Sequence, residues 1–93
     1  MHYLYIIYSK TSDKYYVGET HNIEERILKH NAHQYKNAFS KIAQDWETKL
    51  TKQLKNKEEA VFLERFIKRM KSKKFILKVI DNSDILDDIL KKR

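Results

Sequence analysis

Two short stretches near the start of the chain decide the fold: YLYIIY at Tyr3–Tyr8 and YYVGE at Tyr15–Glu19. Both are rich in β-branched and aromatic residues, which favour strands. The polar segment between them, SKTSDK at Ser9–Lys14, has the composition of a turn. Together the three segments predict a β-hairpin whose first strand is buried.

The residues after the hairpin predict a helix and a weak strand. Asn22 is a favourable N-cap and Glu25 follows at capping-box spacing, so we expect a helix from Ile23 to about His30. Residues 31–45 are polar and weakly patterned, which indicates a loop with room for one helical turn. Alternating Lys and Thr residues then predict a weak strand over 47–54.

The second half of the chain is dominated by one helix, which opens with the same capping pattern at Asn56–Glu59. Its apolar side chains recur at the spacing of one helix face. A short segment over 74–80 leads to a C-terminal amphipathic helix over about 83–91. Its Asp84, Asp87 and Asp88, preceded by Asp81, alternate with Ile and Leu. This layout predicts an α+β fold, a small antiparallel sheet covered by helices.

The composition limits the class of protein. A chain of 93 residues with 41% hydrophobic residues is sufficient for one compact domain, which we assign to 1–93. The absence of cysteine excludes disulfides and Cys-based zinc sites. The apolar N-terminus is too short for a signal peptide, and no apolar run has membrane-spanning length. We therefore expect a cytoplasmic protein with no membrane partner.

The charge balance points to a polyanionic partner. Twenty Lys and Arg residues face thirteen Asp and Glu residues, a formal net charge of +7. Composition alone is equally compatible with a merely soluble basic protein, but the distribution favours nucleic acid. One acid-free stretch carries six cations, which we predict to contact phosphates: Arg65, Lys68, Arg69, Lys71, Lys73 and Lys74. The acidic C-terminal helix is expected to pack on the domain, away from the polyanion.

The hairpin carries candidate functional residues. Tyr5 and Tyr16 lie on adjacent predicted strands, and Gly18 shares a face with Tyr16 because it follows two residues later. A glycine there predicts a gap through which a backbone, phosphate or ligand can approach. Sheet packing of the tyrosines with a bulge at Gly18 is the more common explanation of such a pattern taken alone.

Two helices carry polar residues that suit phosphate chemistry. Arg26 and His30 are four residues apart and share a helix face, where Arg26 could grip a phosphate and His30 add a hydrogen bond or proton transfer. A solvated basic face is the alternative, and it is favoured without further context. Glu64 lies at the margin of its helix's apolar stripe, either as an ion-pair partner of Lys68 or as a ligand; the pattern alone favours the ion pair.

The ordered series of tyrosine, YVG, helix arginine, His-Asn and helix glutamate resembles the GIY-YIG nuclease family. The family's first motif corresponds to Tyr3-Leu4-Tyr5 and its second to Tyr16-Val17-Gly18. Tyr3 and Leu4 stand where the family name has glycine and isoleucine, while Tyr5 is kept. The likeness covers roughly 3–80, which we take as the domain core, and is closest to small stand-alone, single-domain members.

The resemblance implies a three-stranded antiparallel sheet flanked by helices, and metal-dependent hydrolysis of DNA, with DNA repair as its general setting. It makes Tyr16 the general base or water-positioning group, helped by Tyr5. A neighbouring cation would favour this role, because an ordinary tyrosine keeps its proton near pH 7. Arg26 would stabilise the phosphoryl charge with His30 beside it. Glu64 would hold Mg²⁺ or Mn²⁺, bound weakly in the absence of nucleic acid.

Two other functions remain open at this point. The chain could be a non-catalytic nucleic-acid-binding module that keeps the fold. It could also be a nuclease subunit that is active only with a protein partner for targeting, since no zinc finger or helix-turn-helix reader is recognised in the sequence. Such a partner could dock on the acidic C-terminal helix.

Overall fold

The structure, a computed structural model, describes residues 1–31 and 45–93. The loop predicted over 31–45 falls, except for its two end residues, outside the described residues. In chain order the elements are β1 His2–Ser9, β2 Lys14–Thr20, α1 Ile23–Asn31, β3 Trp46–Leu54, α2 Lys57–Met70, α3 Lys73–Asp81 and α4 Asp84–Lys91.

The three strands form one antiparallel sheet in the order β2-β1-β3. The central position of β1 explains its apolar sequence, because Leu4–Ile7 are buried on both faces of the sheet. The register pairs Tyr5 with Gly18 on one side and with Thr51 on the other. The predicted α+β fold, with its three-stranded antiparallel sheet flanked by helices, is confirmed.

The alternation of side chains along β1 separates two hydrophobic clusters. Leu4 and Ile6 belong to the larger cluster, which α2, α3 and α4 complete. Tyr5 and Ile7 belong to the smaller cluster on the opposite face, together with Trp46. Full burial of one such side chain contributes about 1.5–3 kcal/mol, so both faces of the sheet add to the stability of the fold.

α1 covers the smaller cluster through Ile23 and Ile27. Its start is fixed by the Asn22 side chain, whose Oδ1 accepts a hydrogen bond from the backbone N–H of Glu25 at 3.1 Å. The apolar contacts of α1 therefore hold the helix against the sheet beside Tyr5, which positions the remaining side chains of the helix.

α2 and α3 begin with side-chain caps. The Asn56 Oδ1 accepts from the Glu59 N–H at 2.9 Å, as the capping pattern predicted. The Ser72 hydroxyl accepts from the Phe75 N–H at 3.0 Å and opens α3. The segment that the sequence analysis left unassigned over 74–80 is therefore a helix.

α4 is the predicted C-terminal helix and packs on the domain. Leu86 is fully buried in the larger cluster. Asp87 accepts a hydrogen bond from the Lys52 ammonium at 3.0 Å, which ties α4 to β3. Within the described ranges, no helix combines the length and apolar character that a bilayer-spanning segment needs.

One carboxylate ties the β1–β2 turn to the start of β3. Asp45 accepts hydrogen bonds from the Ser9 hydroxyl at 2.6 Å and from the Thr11 hydroxyl and N–H at 2.8 and 3.0 Å. The Ser9 bond, followed by the Thr11 bonds, lowers the pKa of Asp45 to about 2. This clamp fixes the chain immediately before Trp46.

Candidate active site

The innermost part of the candidate site is a buried pair formed by Tyr5 and His30. The Tyr5 hydroxyl lies 2.9 Å from Nε2 of His30, and both side chains are almost completely removed from solvent. Burial, and then the positive charge of Arg26, lower the pKa of His30 to about 4. The imidazole is therefore neutral at physiological pH, and it is suited to hydrogen bonding rather than to supplying a proton.

Gly18 makes room for this pair. A Cβ atom placed on Gly18 would lie 2.5 Å from Cζ of Tyr5, closer than real side-chain contacts allow. The backbone of Gly18 does not have a positive φ, so the glycine is required by this close approach and not by its conformation. The prediction that Gly18 leaves a gap for a phosphate or ligand is wrong, because the Tyr5 ring fills that space.

Tyr16 forms the outer part of the site. Its ring centroid lies 4.7 Å from that of His30 and 6.3 Å from that of Tyr5. Tyr16 is only half-buried, whereas Tyr5 is fully buried. No hydrogen bond to the Tyr16 hydroxyl is found among the residues that the structure describes. Of the two tyrosines, Tyr16 is therefore the one that a water molecule or a substrate can reach.

α1 brings Arg26 to the same part of the molecule. Arg26 is half-buried, one helical turn before His30, and its charge contributes to the lowered pKa of that histidine. The side of α1 that carries these two residues reaches Tyr16 through the His30 ring. Arg26 thus belongs to the α1 face of the sheet, on which Tyr5 and Tyr16 also stand.

Glu64 approaches the site from α2. Its Oε2 lies 3.0 Å from the ammonium of Lys68, the i,i+4 ion pair that the helix spacing suggested. The same ammonium lies 5.4 Å from the centroid of the Tyr16 ring. The Glu64 side chain is 19% exposed, so its carboxylate is partly open to solvent. Lys68 therefore connects the carboxylate of α2 with the outer tyrosine.

The described side chains offer few ligands for a metal. Across 1–31 and 45–93, no three His, Asp or Glu side chains form a group of the kind that encloses an ion. A lone, partly open carboxylate fits a hard cation such as Mg²⁺, which keeps several water ligands and shares phosphate oxygens with its substrate. Among the predicted site residues, Glu64 is the one suited to hold such an ion.

The cations of the basic stretch over 65–74 are exposed, whereas Phe66, Ile67 and Ser72 are wholly or partly buried. These cations do not form a single surface. Lys68, Lys71 and Lys73 line a groove of about 320 Å³ beside Tyr16. Arg65 and Arg69 line a different groove, of about 660 Å³, along the outer side of α2. The predicted cations are all at the surface, Lys74 included, but only three of them border the groove beside Tyr16.

Trp46 was not predicted as a site residue, and Asn31 entered the prediction only as part of the His-Asn pair, with no role assigned to it. The Trp46 ring lies 6.4 Å from that of Tyr16 and 6.5 Å from that of His30, which closes the aromatic cluster. The Asn31 side chain accepts from the Trp46 N–H at 2.8 Å and donates to its carbonyl at 3.2 Å. The available signals were modest: Trp46 is the sole tryptophan, and Asn31 directly follows His30.

A comparison with protein families identifies the fold. The model of the GIY-YIG catalytic domain matches residues 1–76. The chain belongs to the GIY-YIG family. GIY-YIG domains are nuclease domains that act on nucleic acid, and the matched region includes β1, β2, α1, β3 and α2. No curated protein and no solved structure matches the chain in corresponding comparisons.

Proposed function

We propose that this GIY-YIG protein is a metal-dependent endonuclease that hydrolyses DNA phosphodiester bonds, with Tyr16 as the general base. One observation carries the proposal. Tyr16 lies between the two helices that bear the other polar groups, in ring contact with His30 of α1 and 5.4 Å from the Lys68 ammonium that pairs with Glu64 of α2. This position gives an accessible phenol a neighbouring cation that is paired with a carboxylate, on the sheet face over which α1 carries Arg26.

In the proposed reaction, Tyr16 in its phenolate form removes a proton from water as the water oxygen forms a bond to phosphorus. The bond between phosphorus and the leaving sugar oxygen breaks, and that oxygen takes a proton from solvent. Arg26 stabilises the negative charge that develops on the phosphoryl oxygens, because its planar guanidinium can donate two parallel hydrogen bonds. General-base catalysis of this kind contributes about 10²–10⁴-fold to a rate.

In this proposal Tyr5 and His30 support Tyr16 and do not exchange protons with substrate. Both are buried, and the Tyr5 hydroxyl is engaged with His30. The edge-on contact of His30 and the tilted contact of Tyr5 with the Tyr16 ring restrict the orientation of its phenol. A neutral His30 also adds no further positive charge beside Arg26, which suits a buried position.

Glu64 is the residue that would hold Mg²⁺ or Mn²⁺. When bound, such an ion supplies Lewis-acid stabilisation of charge on the phosphate oxygens. A single carboxylate supports the expectation that the ion binds weakly until nucleic acid provides further oxygen ligands. Lys71 and Lys73, which border the groove beside Tyr16, are suited to holding the DNA backbone by contacts that do not depend on sequence.

The test is a cleavage screen over duplex, flap, branched and single-stranded DNA in Mg²⁺ or Mn²⁺. We expect cleavage of at least one structure by the unmodified protein and none by Glu64→Ala. The Glu64 side chain lies partly at the surface, so this variant should fold. Glu58→Ala, which removes an exposed glutamate from the same helix, serves as the matched control and should cleave normally.

Cleavage in excess chelator, or full activity of Glu64→Ala, would contradict the role of Glu64. DNA binding without cleavage of any member of the panel would instead support a non-catalytic nucleic-acid-binding module. Cleavage that appears only after a second protein is added would support the nuclease subunit that needs a targeting partner.

A further inference from the structure

We infer that Lys68 is a built-in cation that occupies the Glu64 carboxylate until a divalent ion displaces it, so that Lys68 sets the metal affinity of the free protein. The inference rests on the proposed function, because it takes Glu64 as the metal ligand. It goes beyond that function by giving Lys68 a regulating position in the site.

The contacts of Lys68 are those of a competitor for the carboxylate. Its ammonium lies 3.0 Å from Oε2 of Glu64 and 5.4 Å from the centroid of the Tyr16 ring. Half of the Lys68 side chain is exposed, at 49%, whereas only 19% of the Glu64 side chain is. The lysine is therefore the more exposed partner of the pair, and its ammonium covers part of the approach to the carboxylate.

An ammonium and a divalent ion compete for this carboxylate. Mg²⁺ binds carboxylate oxygens at about 2.0–2.1 Å, so an ion on Oε2 of Glu64 would lie close to the Lys68 ammonium, which is 3.0 Å from the same oxygen. The two cations also repel each other at this distance. Because an exposed i,i+4 ion pair is weak, the divalent ion can displace Lys68, but it does so at the expense of that pair.

The displaced ammonium stays in the site, because the lysine is anchored one helical turn from Glu64 and its neighbour is Tyr16. From there it is free to bind a phosphate oxygen of the substrate. Metal binding therefore releases a phosphate-binding cation, and phosphate binding by Lys68 frees the carboxylate for metal. The two ligands should promote each other's binding, since such coupling is reciprocal.

The experiment measures the binding of Mn²⁺ alone, without DNA, by paramagnetic broadening of NMR signals near Glu64. Lys68→Gln removes the competing charge and keeps most of the side-chain length. Lys71→Gln is the matched control, because it removes the same charge from the same groove. Lys68→Gln is expected to lower the Kd for Mn²⁺ about twofold to fivefold, and Lys71→Gln by clearly less.

Two further comparisons make the result decisive. In a Glu64→Gln background, Lys68→Gln should no longer change Mn²⁺ binding, because the contested carboxylate is gone. Equal affinity of Lys68→Gln and the unmodified protein, an equal effect of Lys71→Gln, or no Mn²⁺-dependent broadening near Glu64 in any variant would each overturn the inference. Tighter Mn²⁺ binding by Lys68→Gln, in a protein that cleaves no DNA, would uphold it and refute the proposed nuclease activity.

Discussion

The Tyr5 hydroxyl lies 2.9 Å from Nε2 of His30, so a buried hydrogen bond joins the central strand to the end of the first helix. Tyr5 has its ring over Gly18 of the neighbouring strand, and His30 has its ring against Tyr16. The bond therefore fixes β1, β2 and α1 relative to one another at one point. Tyr16, the more accessible phenol, is positioned by this inner pair.

Gly18→Ala should disrupt the inner pair. The new Cβ would lie 2.5 Å from Cζ of Tyr5, so the ring must shift, which disturbs its hydrogen bond to His30. Overpacking of this kind costs about 1–3 kcal/mol, which chemical denaturation would measure as a loss in the free energy of unfolding. Adding Tyr5→Phe should not restore stability, because the ring carbon still collides. An unchanged unfolding free energy for Gly18→Ala would mean that Tyr5 is not packed on Gly18.

His30 should make stability depend on pH in a defined window. Its pKa is lowered from 6.5 to about 4, so between these values the unfolded chain binds a proton that the folded protein does not. This contribution to stability is complete above about pH 6.5 and declines as the pH falls toward 4. The unfolding free energy of the unmodified protein should therefore fall more steeply over this window than that of His30→Gln. The other histidines are common to both proteins, so parallel curves would contradict the assignment.

The hairpin, α1 and α2 could be predicted from sequence because their signals are local. The tyrosine-rich strands and the caps at Asn22 and Asn56 involve residues at most a few positions apart. β3 was predicted only weakly, because its middle is largely exposed and is mostly polar. The strand is stabilised by its pairing with β1, which is not visible in its own sequence. α3 was not predicted as a helix, although Ser72 caps it. Its first turn has no acidic side chain, which would interact favourably with the helix dipole and signal a helix start.

The candidate site could be proposed from the sequence only in part. The order of the motifs singled out Tyr16, Arg26 and Glu64, and the structure supplies their neighbours. The role of Gly18 could not be inferred, because it depends on the direction of the Tyr5 ring across a strand pair. The packing of Trp46 was also beyond sequence reasoning, since its partner Asn31 is fifteen residues away in the chain.

The two grooves should differ in their contribution to DNA binding. Lys71 and Lys73 border the groove beside Tyr16, whereas Arg65 and Arg69 border the other. Replacing Lys71 and Lys73 with Ala should weaken binding and flatten its dependence on salt by roughly one unit of slope per lost phosphate contact. The matched double variant of Arg65 and Arg69 removes the same charge and should change the slope less. Equal changes in the two slopes would show that DNA does not prefer the groove beside Tyr16.

The proposed division between the two tyrosines predicts opposite effects of two matched substitutions. Tyr16→Phe removes a hydroxyl that makes no hydrogen bond to the described residues, so stability and DNA affinity should change little. Its single-turnover cleavage rate should nevertheless fall by roughly two to four orders of magnitude, because the base is lost. Tyr5→Phe removes a buried hydroxyl that is bonded to His30, so it should lower the unfolding free energy by about 1–3 kcal/mol and slow cleavage much less.

Arg26→Lys completes the comparison within the same assay. It keeps the positive charge but loses the planar pair of donors, so cleavage should be severely impaired while DNA affinity is largely kept. If Tyr16→Phe and Arg26→Lys both cleave at the normal rate, Tyr16 is a packing residue and Arg26 a surface cation. If Tyr5→Phe abolishes cleavage while Tyr16→Phe does not, the buried tyrosine is the base, and the site must open before it can react.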